Sequence, residues 1–411
     1  MKNRLLFLTT ANLSTNPRCY KEIELAITLG YQPIVVAFYL GGWSITIEKN
    51  LAANLDGVDL YYIDATKGNK WNWLLISMLQ KILSYLPRIT QKNSLLQSFA
   101  IDKRSFQLTR FLKKNKIQAQ MVIAHNLGAF YPAYYFSKQN KVLLGIDIED
   151  DHAGEANNIR IKGAVNSLMS KILPEANYLS FAAPLIKQKI QSRIAMPLAC
   201  ITQIINNVSC TSEFIEVKQS PSFDQLKLVW FSQNIDYGRG LEKILPVLDF
   251  FAAEIELTLI GNLRDRFNQL EVLNRPYIKT IEALPQVELH QKLSDFDIGL
   301  AIEDAAADEN RTICLTNKIW GYFQAGLYIL ATDTPAQQHF IEEFQEHGCI
   351  SSLNEEALKK AIQEIINQMA VIKQNRSYRF NAAKFFSWEQ ESVKLKNTWQ
   401  LIFDYTIPVN S

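Results

Sequence analysis

Two successive series of alternating apolar and amphipathic segments constrain the fold of this chain more than any other feature. In the first series, apolar runs of strand length at residues 4–10 and 33–38 enclose an amphipathic stretch at residues 18–29, which ends at Gly30. Strand-like and helix-like segments continue to alternate up to residue 147. Repeated strand–helix units of this kind predict a parallel sheet with helices on both faces.

A second series follows a polar stretch, residues 210–225, which we interpret as an interdomain linker. It starts with a strand at residues 226–231 and a helix at residues 241–251. The predicted fold class is therefore α/β, with two Rossmann-like, doubly wound domains facing a cleft, since ligands bind beyond the carboxyl ends of the strands in such sheets. The predicted domains are residues 1–208 and 209–386, followed by a C-terminal helix at residues 387–411.

Composition excludes several classes of function. The 411 residues include 43 Lys and Arg against 41 Asp and Glu, a net charge of +2, so nucleic acid is not expected as a partner and any anion site must be local. Five scattered cysteines, and five histidines without zinc-type spacing, predict a reduced, cytoplasmic protein with no bound metal. A run of about 18 apolar residues, which a transmembrane helix needs, does not occur. The short N-terminal apolar run is predicted as a strand and not as a signal peptide.

The loop after the strand at residues 226–231 is a candidate phosphate site. Gly238 and Gly240 flank Arg239 where a helix is predicted to begin. Free backbone N–H groups, a helix dipole and a guanidinium would meet there, and together they suit a phosphate group. The alternative is an ordinary turn that carries a solvated arginine.

A second candidate is Lys318, in the first turn of a predicted helix with Thr316 and Asn317 as capping candidates. A lysine is unfavourable at the positive end of a helix dipole unless an anion is present. The alternative is a surface lysine whose aliphatic stem covers apolar area.

The segment GIDIEDDHAGE, residues 145–155, gathers carboxylates at the end of a predicted strand. Such a density of acidic groups could bind a divalent ion or supply a general base, and a solvated acidic loop is the alternative. We expect Glu155 or His152 to face the cleft. His125 also ends a predicted strand, where a structural histidine with satisfied hydrogen bonds is the alternative.

The run DIGLAIEDAAADENRTICLTNKIWGYFQAGLYILATDTPAQ, residues 297–337, resembles the donor-binding half of retaining glycosyltransferases of the GT-B fold, especially glycosyltransferase family 4. Further matches occur in the family's order along nearly the whole chain. They are NPRCYKEIELAITLGYQPIVVAF, VIAHNLGAFYPA, IINNV, GRGLE and FFSWEQE.

The resemblance implies transfer of a sugar from a nucleotide-diphosphate sugar to a saccharide or lipid-linked acceptor, as in cell-surface polysaccharide synthesis, with no metal or other cofactor. Arg239 and Lys318 would contact the diphosphate, while Glu303 and Asn310 would lie near the nucleoside or sugar. The last helix would cross back onto the N-terminal domain. The resulting predictions are Arg18, Arg239, Glu303, Asn310, Asn317 and Lys318 for donor binding, and His125, Glu155, Arg239 and Lys318 for catalysis.

The chain departs from the family at two places. Many members have two glutamates eight residues apart, where this chain has Ile313 and Gly321. Many also have Gly-Arg where this chain has Ser232-Gln233. Two alternatives therefore stay open: a catalytically silent binding or scaffold protein of the GT-B fold, and a sugar-nucleotide epimerase of the same fold.

Residues 67–92 form a basic and apolar segment of helical length. Such a composition suits a helix that lies in an anionic bilayer interface, and core packing of the same helix is the alternative. A peripheral location at the inner face of the membrane would follow from the first interpretation. The charged and aromatic residues on which it rests are Lys67, Lys70, Trp71, Trp73, Lys81, Tyr85, Arg88 and Lys92.

Overall fold

The structure, a computed structural model, describes residues 3–42, 45–66, 68, 70–86, 90, 92–155, 159–216, 224–269, 271–306 and 308–406, without the side chains of 70–73, 405 and 406. The chain divides into two compact units. Unit 1 extends to Ile205 and also includes the C-terminal segment from Ser392, and unit 2 is Asn206–Glu391. The stretch at residues 210–225, interpreted above as a linker, belongs to unit 2.

Unit 1 is built on a parallel sheet with the strand order β3-β2-β1-β4-β5-β6-β7. Its strands are β1 (Arg4–Thr9), β2 (Gln32–Tyr39), β3 (Asp59–Asp64), β4 (Met121–His125), β5 (Leu143–Ile148), β6 (Tyr178–Phe181) and β7 (Ile201–Ile204). Its helices are α1 (Pro17–Thr28), α2 (Ile45–Ala53), α3 (Lys70–Ser84), α4 (Ser94–Ile101), α5 (Lys103–Lys114), α6 (Leu127–Asn140), α7 (Ile159–Ile172) and α8 (Pro184–Arg193).

Unit 2 is built on a second parallel sheet, with the order β10-β9-β8-β11-β12-β13. Its strands are β8 (Leu226–Ile235), β9 (Ile255–Leu263), β10 (Ile278–Ile281), β11 (Ile298–Ala301), β12 (Tyr328–Thr332) and β13 (Gly348–Ser351). Its helices are α9 (Leu241–Leu248), α10 (Asp265–Asn268), α11 (Gln286–Lys292), α12 (Asn310–Ile313), α13 (Asn317–Gln324), α14 (Pro335–Glu343), α15 (Glu355–Asn367), α16 (Met369–Gln374) and α17 (Arg376–Ala383). The last helix, α18 (Trp388–Thr406), starts in unit 2 and continues into unit 1.

Both sheets have the Rossmann order, in which the chain reverses direction across the sheet between the first and fourth strands. That switch point lies between β1 and β4 in unit 1 and between β8 and β11 in unit 2. The predicted fold class, two doubly wound α/β units, is confirmed. Among the residues that the structure describes, no helix combines the length and the apolar content that crossing a bilayer requires.

Alternate side chains of the central strands of unit 2 pack on opposite faces of the sheet. Leu228 and Trp230 belong to an apolar cluster that includes α9, whereas Val229 and Phe231 belong to a second cluster that includes α13. A strand that is covered on both faces needs apolar residues at every position, which explains the uninterrupted apolar run at residues 228–231 of β8.

Several elements differ from the prediction. Strand β8 continues to Ile235, with an irregular register between Phe231 and Asn234, so Ser232 and Gln233 lie in a strand and not in the predicted loop. Strands β6, β7, β10 and β13 were not predicted. Each of them has only four residues, which is too few for apolar periodicity to stand out from the background.

The C-terminal helix supplies part of the core of unit 1. The side chain of Trp399 is fully buried, and its indole Nε1 donates to the Tyr178 hydroxyl over 3.0 Å. The same indole packs edge-on against Phe7 of β1, with 6.3 Å between ring centroids. The tail is therefore held by a large buried aromatic side chain whose polar atom is satisfied.

We expect Trp399→Ala to lower the free energy of unfolding by about 3–5 kcal/mol, because the variant leaves a cavity and an unpaired Tyr178 hydroxyl. Urea denaturation of the full-length protein, followed by circular dichroism, measures the loss. Val393→Ala, on an exposed position of the same helix, is the control and should change the stability by no more than about 0.5 kcal/mol. Equal stability of the two variants would contradict a core role for the tail.

Candidate functional site

The switch point of unit 2 brings together residues that are distant in sequence. Strands β8 and β11 are parallel neighbours, so the loops that leave their carboxyl ends emerge at the same edge of the sheet. The loop after β8 carries Arg239, and the chain leaves β11 through Ile302 and Glu303. Topology thus places two of the predicted donor-binding residues at one edge.

Glycines shape the loop that presents Arg239. Gly238 and Gly240 both have φ of +80°, in the left-handed region that favours glycine. A Cβ atom on Gly240 would lie 2.4 Å from Cγ2 of Ile302, so the loop can approach the end of β11 this closely only with glycine there. Gly240 is also the N-cap residue of α9, and Arg239, which is partly exposed, directly precedes it.

Lys318, the second residue of α13, is buried and ion-paired. Its side chain is 6% exposed, and its Nζ atom lies 2.6 Å from Oε1 of Glu303, itself 2% exposed. The ammonium also lies 5.1 Å from the centroid of the Trp230 ring. The alternative of a surface lysine is therefore wrong, and Glu303 is the anion that accompanies Lys318 in this structure.

Arg311 adds a third cation that the sequence did not single out. Its Nη1 atom lies 3.9 Å from Oε2 of Glu303 and donates to the carbonyl of Gly238, which ties α12 to the glycine loop. Burial and the charges of Arg239 and Arg311 lower the pKa of Lys318, although the attraction of Glu303 opposes this. Asp308 also pairs with Arg311, with 3.1 Å between its Oδ2 and Nε of the arginine. Three cations thus meet two carboxylates, and an arriving anion would relieve the repulsion that remains among the cations.

The remaining predicted donor residues lie at helix starts in the same unit. Asn310 is buried and is the first residue of α12. Asn317 is the first residue of α13, and its Oδ1 accepts from Nδ2 of Asn207 over 2.6 Å. Thr316 occupies the N-cap position, but its hydroxyl caps none of the amides in the first turn. The predicted threonine cap is wrong, and those amides do not depend on it.

The two positions at which the family's glutamates are absent have no role among these cations. Gly321 lies inside α13, where an added Cβ would lie 3.4 Å from the Phe231 ring and 3.6 Å from Leu293. A carboxylate at this position would enter an apolar cluster. Ile313 is the last residue of α12 and is partly buried.

The switch point of unit 1 holds a second cluster of charged residues, and this one is internally neutralised. Arg18 is 1% exposed, and its Nε and Nη2 atoms donate to both carboxylate oxygens of Asp147 over 2.6 and 2.7 Å. Its Nη1 atom donates to the carbonyl of Ile205. Each terminal nitrogen of this buried guanidinium thus has a partner in unit 1, which does not favour donor binding by Arg18, and that role stays a prediction.

His125 lies at the carboxyl end of β4, opposite Thr9 of β1, and is fully buried. Its Nε2 lies 3.4 Å from Glu22 and its Nδ1 lies 3.3 Å from Asp147. Burial alone would lower the pKa of His125, but Cys19, Glu22 and Asp147 raise it well above its ordinary value. In this structure His125 belongs to a buried polar cluster and has no exposed ring atom, so a catalytic role for it stays a prediction.

Glu22, His125 and Asp147 have potential metal-ligand atoms within 4.8 Å of one another. The two carboxylates face opposite nitrogens of one imidazole ring, and the lone pairs of those nitrogens diverge. One ion therefore cannot bind the histidine and both carboxylates together, and Arg18 already occupies Asp147. We interpret this cluster as a buried ion-pair network.

The acidic segment after β5 contains a carboxyl group that the sequence gave no reason to prefer. Burial and the charge of Asp147 raise the pKa of Glu149 to about 7. The predicted catalytic residue Glu155 is 46% exposed, and its Oε2 lies 3.2 Å from Nδ1 of His152, which is 12% exposed. Asp151 pairs with Arg193 over 3.0 Å. The alternative of a solvated acidic loop therefore does not hold for Asp151, which is fully buried.

Comparisons with known proteins identify the class of fold. The sequence matches no protein-family model and no curated protein. Among solved structures, a glycosyltransferase from Rickettsia africae is similar with a TM-score of 0.67 at 14% identity over 100% of both chains. Sucrose-phosphate synthase from Thermosynechococcus elongatus is similar with a TM-score of 0.65 at 12% identity, over 98% of this chain and 100% of the other. HepE from Anabaena, solved with UDP-glucose, is similar with a TM-score of 0.63 at 12% identity, over 97% of this chain and 99% of the other. The chain thus has the GT-B fold.

The raised pKa of Glu149 gives a pH prediction. The folded protein binds this proton more tightly than the unfolded chain, whose carboxyl titrates near 4.5. Ionisation of Glu149 therefore lowers stability as the pH rises from about 4.5 to about 7. We expect Glu149→Gln to melt a few degrees above the wild type at pH 8. At pH 4, below the pKa of the unfolded carboxyl, the glutamine is nearly isosteric with an acid that is protonated in both states, so the two proteins should melt close together. Equal melting temperatures at both pH values would contradict the assignment.

Proposed function

We propose that this chain is a glycosyltransferase that moves a sugar from a nucleoside-diphosphate sugar to a saccharide or lipid-linked acceptor. The observation that carries the proposal is the excess of positive charge at the unit 2 switch point. Arg239, Arg311 and Lys318 meet there with only two carboxylates, Glu303 and Asp308. The GT-B fold supports it, because similar structures include glycosyltransferases, one of them solved with UDP and with UDP-glucose.

In the proposed reaction, departure of the nucleoside diphosphate builds negative charge on its β-phosphate. Arg239 and Lys318 would stabilise that charge, with Lys318 exchanging its contact with Glu303 for one with a phosphate oxygen. Such contacts are strong because the lysine lies in a site from which most water is excluded. Arg311 would act by positioning, since it holds the Gly238 carbonyl and with it the loop that carries Arg239.

We further propose a retaining stereochemistry, which rests on the resemblance of residues 297–337 to family 4 enzymes. No covalent nucleophile is assigned. The anomeric configuration of the product, followed by proton nuclear magnetic resonance from the start of the reaction, tests this point. An inverted product would exclude the retaining mechanism and leave the proposed transfer in place.

One observation favours a second candidate, a catalytically silent binding protein. Ile313 and Gly321 replace two carboxylates that many family 4 members have. The two candidates differ in donor hydrolysis without acceptor, which a transferase performs slowly and a binding protein does not. Both should bind nucleoside diphosphates, so binding alone does not separate them.

We expect Arg239→Ala and Lys318→Ala each to raise the barrier to transfer by about 3 kcal/mol, roughly a hundredfold in kcat/KM. Both should also reduce the rise in melting temperature that a nucleoside diphosphate such as UDP produces in the wild type. Lys279→Ala is the matched control, because Lys279 is 63% exposed and pairs with Glu256 away from the switch point. Near-wild-type transfer by both variants, folded as judged by circular dichroism, would rule out the diphosphate assignment.

Removal of divalent metals should leave transfer unchanged. Three cationic side chains can supply the charge that a metal ion supplies in other sugar transferases, so no bound ion is required by the proposed mechanism. The measurement is the initial rate with and without an excess of EDTA, after dialysis against chelating resin. A loss of activity that magnesium or manganese restores would contradict this part of the proposal.

A further inference from the structure

Helix α3 of unit 1 turns its apolar side chains outward. Six apolar residues of α3 and the turn that follows it are between 46% and 61% exposed. They are Leu74, Leu75, Met78, Leu79, Ile82 and Tyr85, and we call them the α3 face. At 3.6 residues per turn their spacing places all six within an arc of about 140°. They form one continuous stripe and not six scattered exposures.

Two polar side chains on the opposite side of the same helix, Ser77 and Gln80, turn inward. Ser77 accepts at Oγ from Nζ of Lys103 over 2.7 Å, and Gln80 donates from Nε2 to the carbonyl of Ile101 over 3.1 Å. A helix on a water-facing surface has the opposite arrangement, with its apolar stripe against the protein. The inversion fits a helix whose outer side meets an apolar medium, and it contradicts the core-packing alternative for these residues.

The charged residues of the chain segment that carries the α3 face all have one sign. No Asp or Glu occurs between Asp64 and Asp102. Lys81 lies on α3 at the border of the arc, and both Lys81 and Lys92 are exposed. The start of α7 continues the surface, because the guanidinium of Arg160 lies 5.9 Å from the Tyr85 ring centroid and Ile159 is 85% exposed.

Other residues from the sequence-based hypothesis are not part of this argument. Lys67 and Arg88 lie outside the described residues, and the side chains of Lys70, Trp71 and Trp73 are not described either. The inference therefore stands on the α3 face, Lys81, Lys92 and the start of α7.

We infer that unit 1 docks on an anionic bilayer surface through the α3 face and the start of α7. An apolar stripe with a border of only positive charge is the composition of a helix that lies in the plane of an anionic membrane interface. A second copy of this chain is a poorer occupant, because a twofold contact would bring Lys81 and Arg160 towards their own equivalents. The helix has 15 residues, which is too short to span the bilayer.

Co-sedimentation of the full-length protein with vesicles tests the docking. We expect binding to vesicles that mix phosphatidylcholine with phosphatidylglycerol, little binding to phosphatidylcholine alone, and weaker binding in high salt. Leu75→Glu combined with Leu79→Glu should abolish it. Lys81→Glu combined with Arg160→Glu should reduce the bound fraction at limiting lipid by about tenfold or more.

The matched control is Leu273→Glu combined with Val287→Glu, two exposed apolar residues of unit 2, and it should bind like the wild type. Failure of the wild type to sediment with the mixed vesicles at low salt would overturn the inference. Binding of the Leu75/Leu79 variant to these vesicles as strongly as the wild type would overturn it as well. If light scattering shows that the wild type is a dimer and the Leu75/Leu79 variant a monomer, and the wild type does not bind vesicles, the face would be assigned to self-association instead. Vesicle binding needs neither donor nor acceptor, so its outcome is separate from that of the proposed transfer.

Discussion

A parallel sheet ends all of its strands at one edge, and this constraint decides where the charged residues of both units meet. In unit 2, α9 follows β8 onto one face of the sheet, and α13 follows β11 onto the other. The connections that leave these two neighbouring strands therefore run to opposite faces of the sheet, and an opening forms between them at the carboxyl edge. Arg239 and Glu303 reach that opening because each directly follows one of the two strands in the chain.

The two switch points share this geometry and differ in their balance of charge. In unit 1, Arg18 and His125 are matched by Asp147 and Glu22, and all four are almost completely buried. Removing one member of such a network would leave an uncompensated charge, so the network links α1 to β4 and β5. In unit 2 three cations, Arg239, Arg311 and Lys318, face two carboxylates, Glu303 and Asp308. This excess of positive charge is what the proposed nucleoside diphosphate would neutralise.

The two residues on which the proposed site rests could be predicted because their signals are local. Arg239 lies between two glycines, and Lys318 lies one residue inside a helix start. Arg311 could not be predicted, since its partner, the Gly238 carbonyl, is 73 positions away and α12 is a single turn. The pair of Arg18 and Asp147 spans 129 positions, and only the fold reveals this pairing. The apolar runs predicted the central strands for the same local reason, whereas four short strands at or next to a sheet edge were not predicted.

The ion pair of Lys318 and Glu303 also links the binding of an anion to the binding of a proton. Burial and two neighbouring guanidinium groups lower the pKa of Lys318, whereas a diphosphate beside it would favour the ammonium form. The two equilibria are reciprocal, because whatever stabilises the ammonium strengthens the hold on the phosphate. In alkaline solution the protein would then take up a proton as it binds the nucleotide, and the heat of binding would vary with the ionisation enthalpy of the buffer.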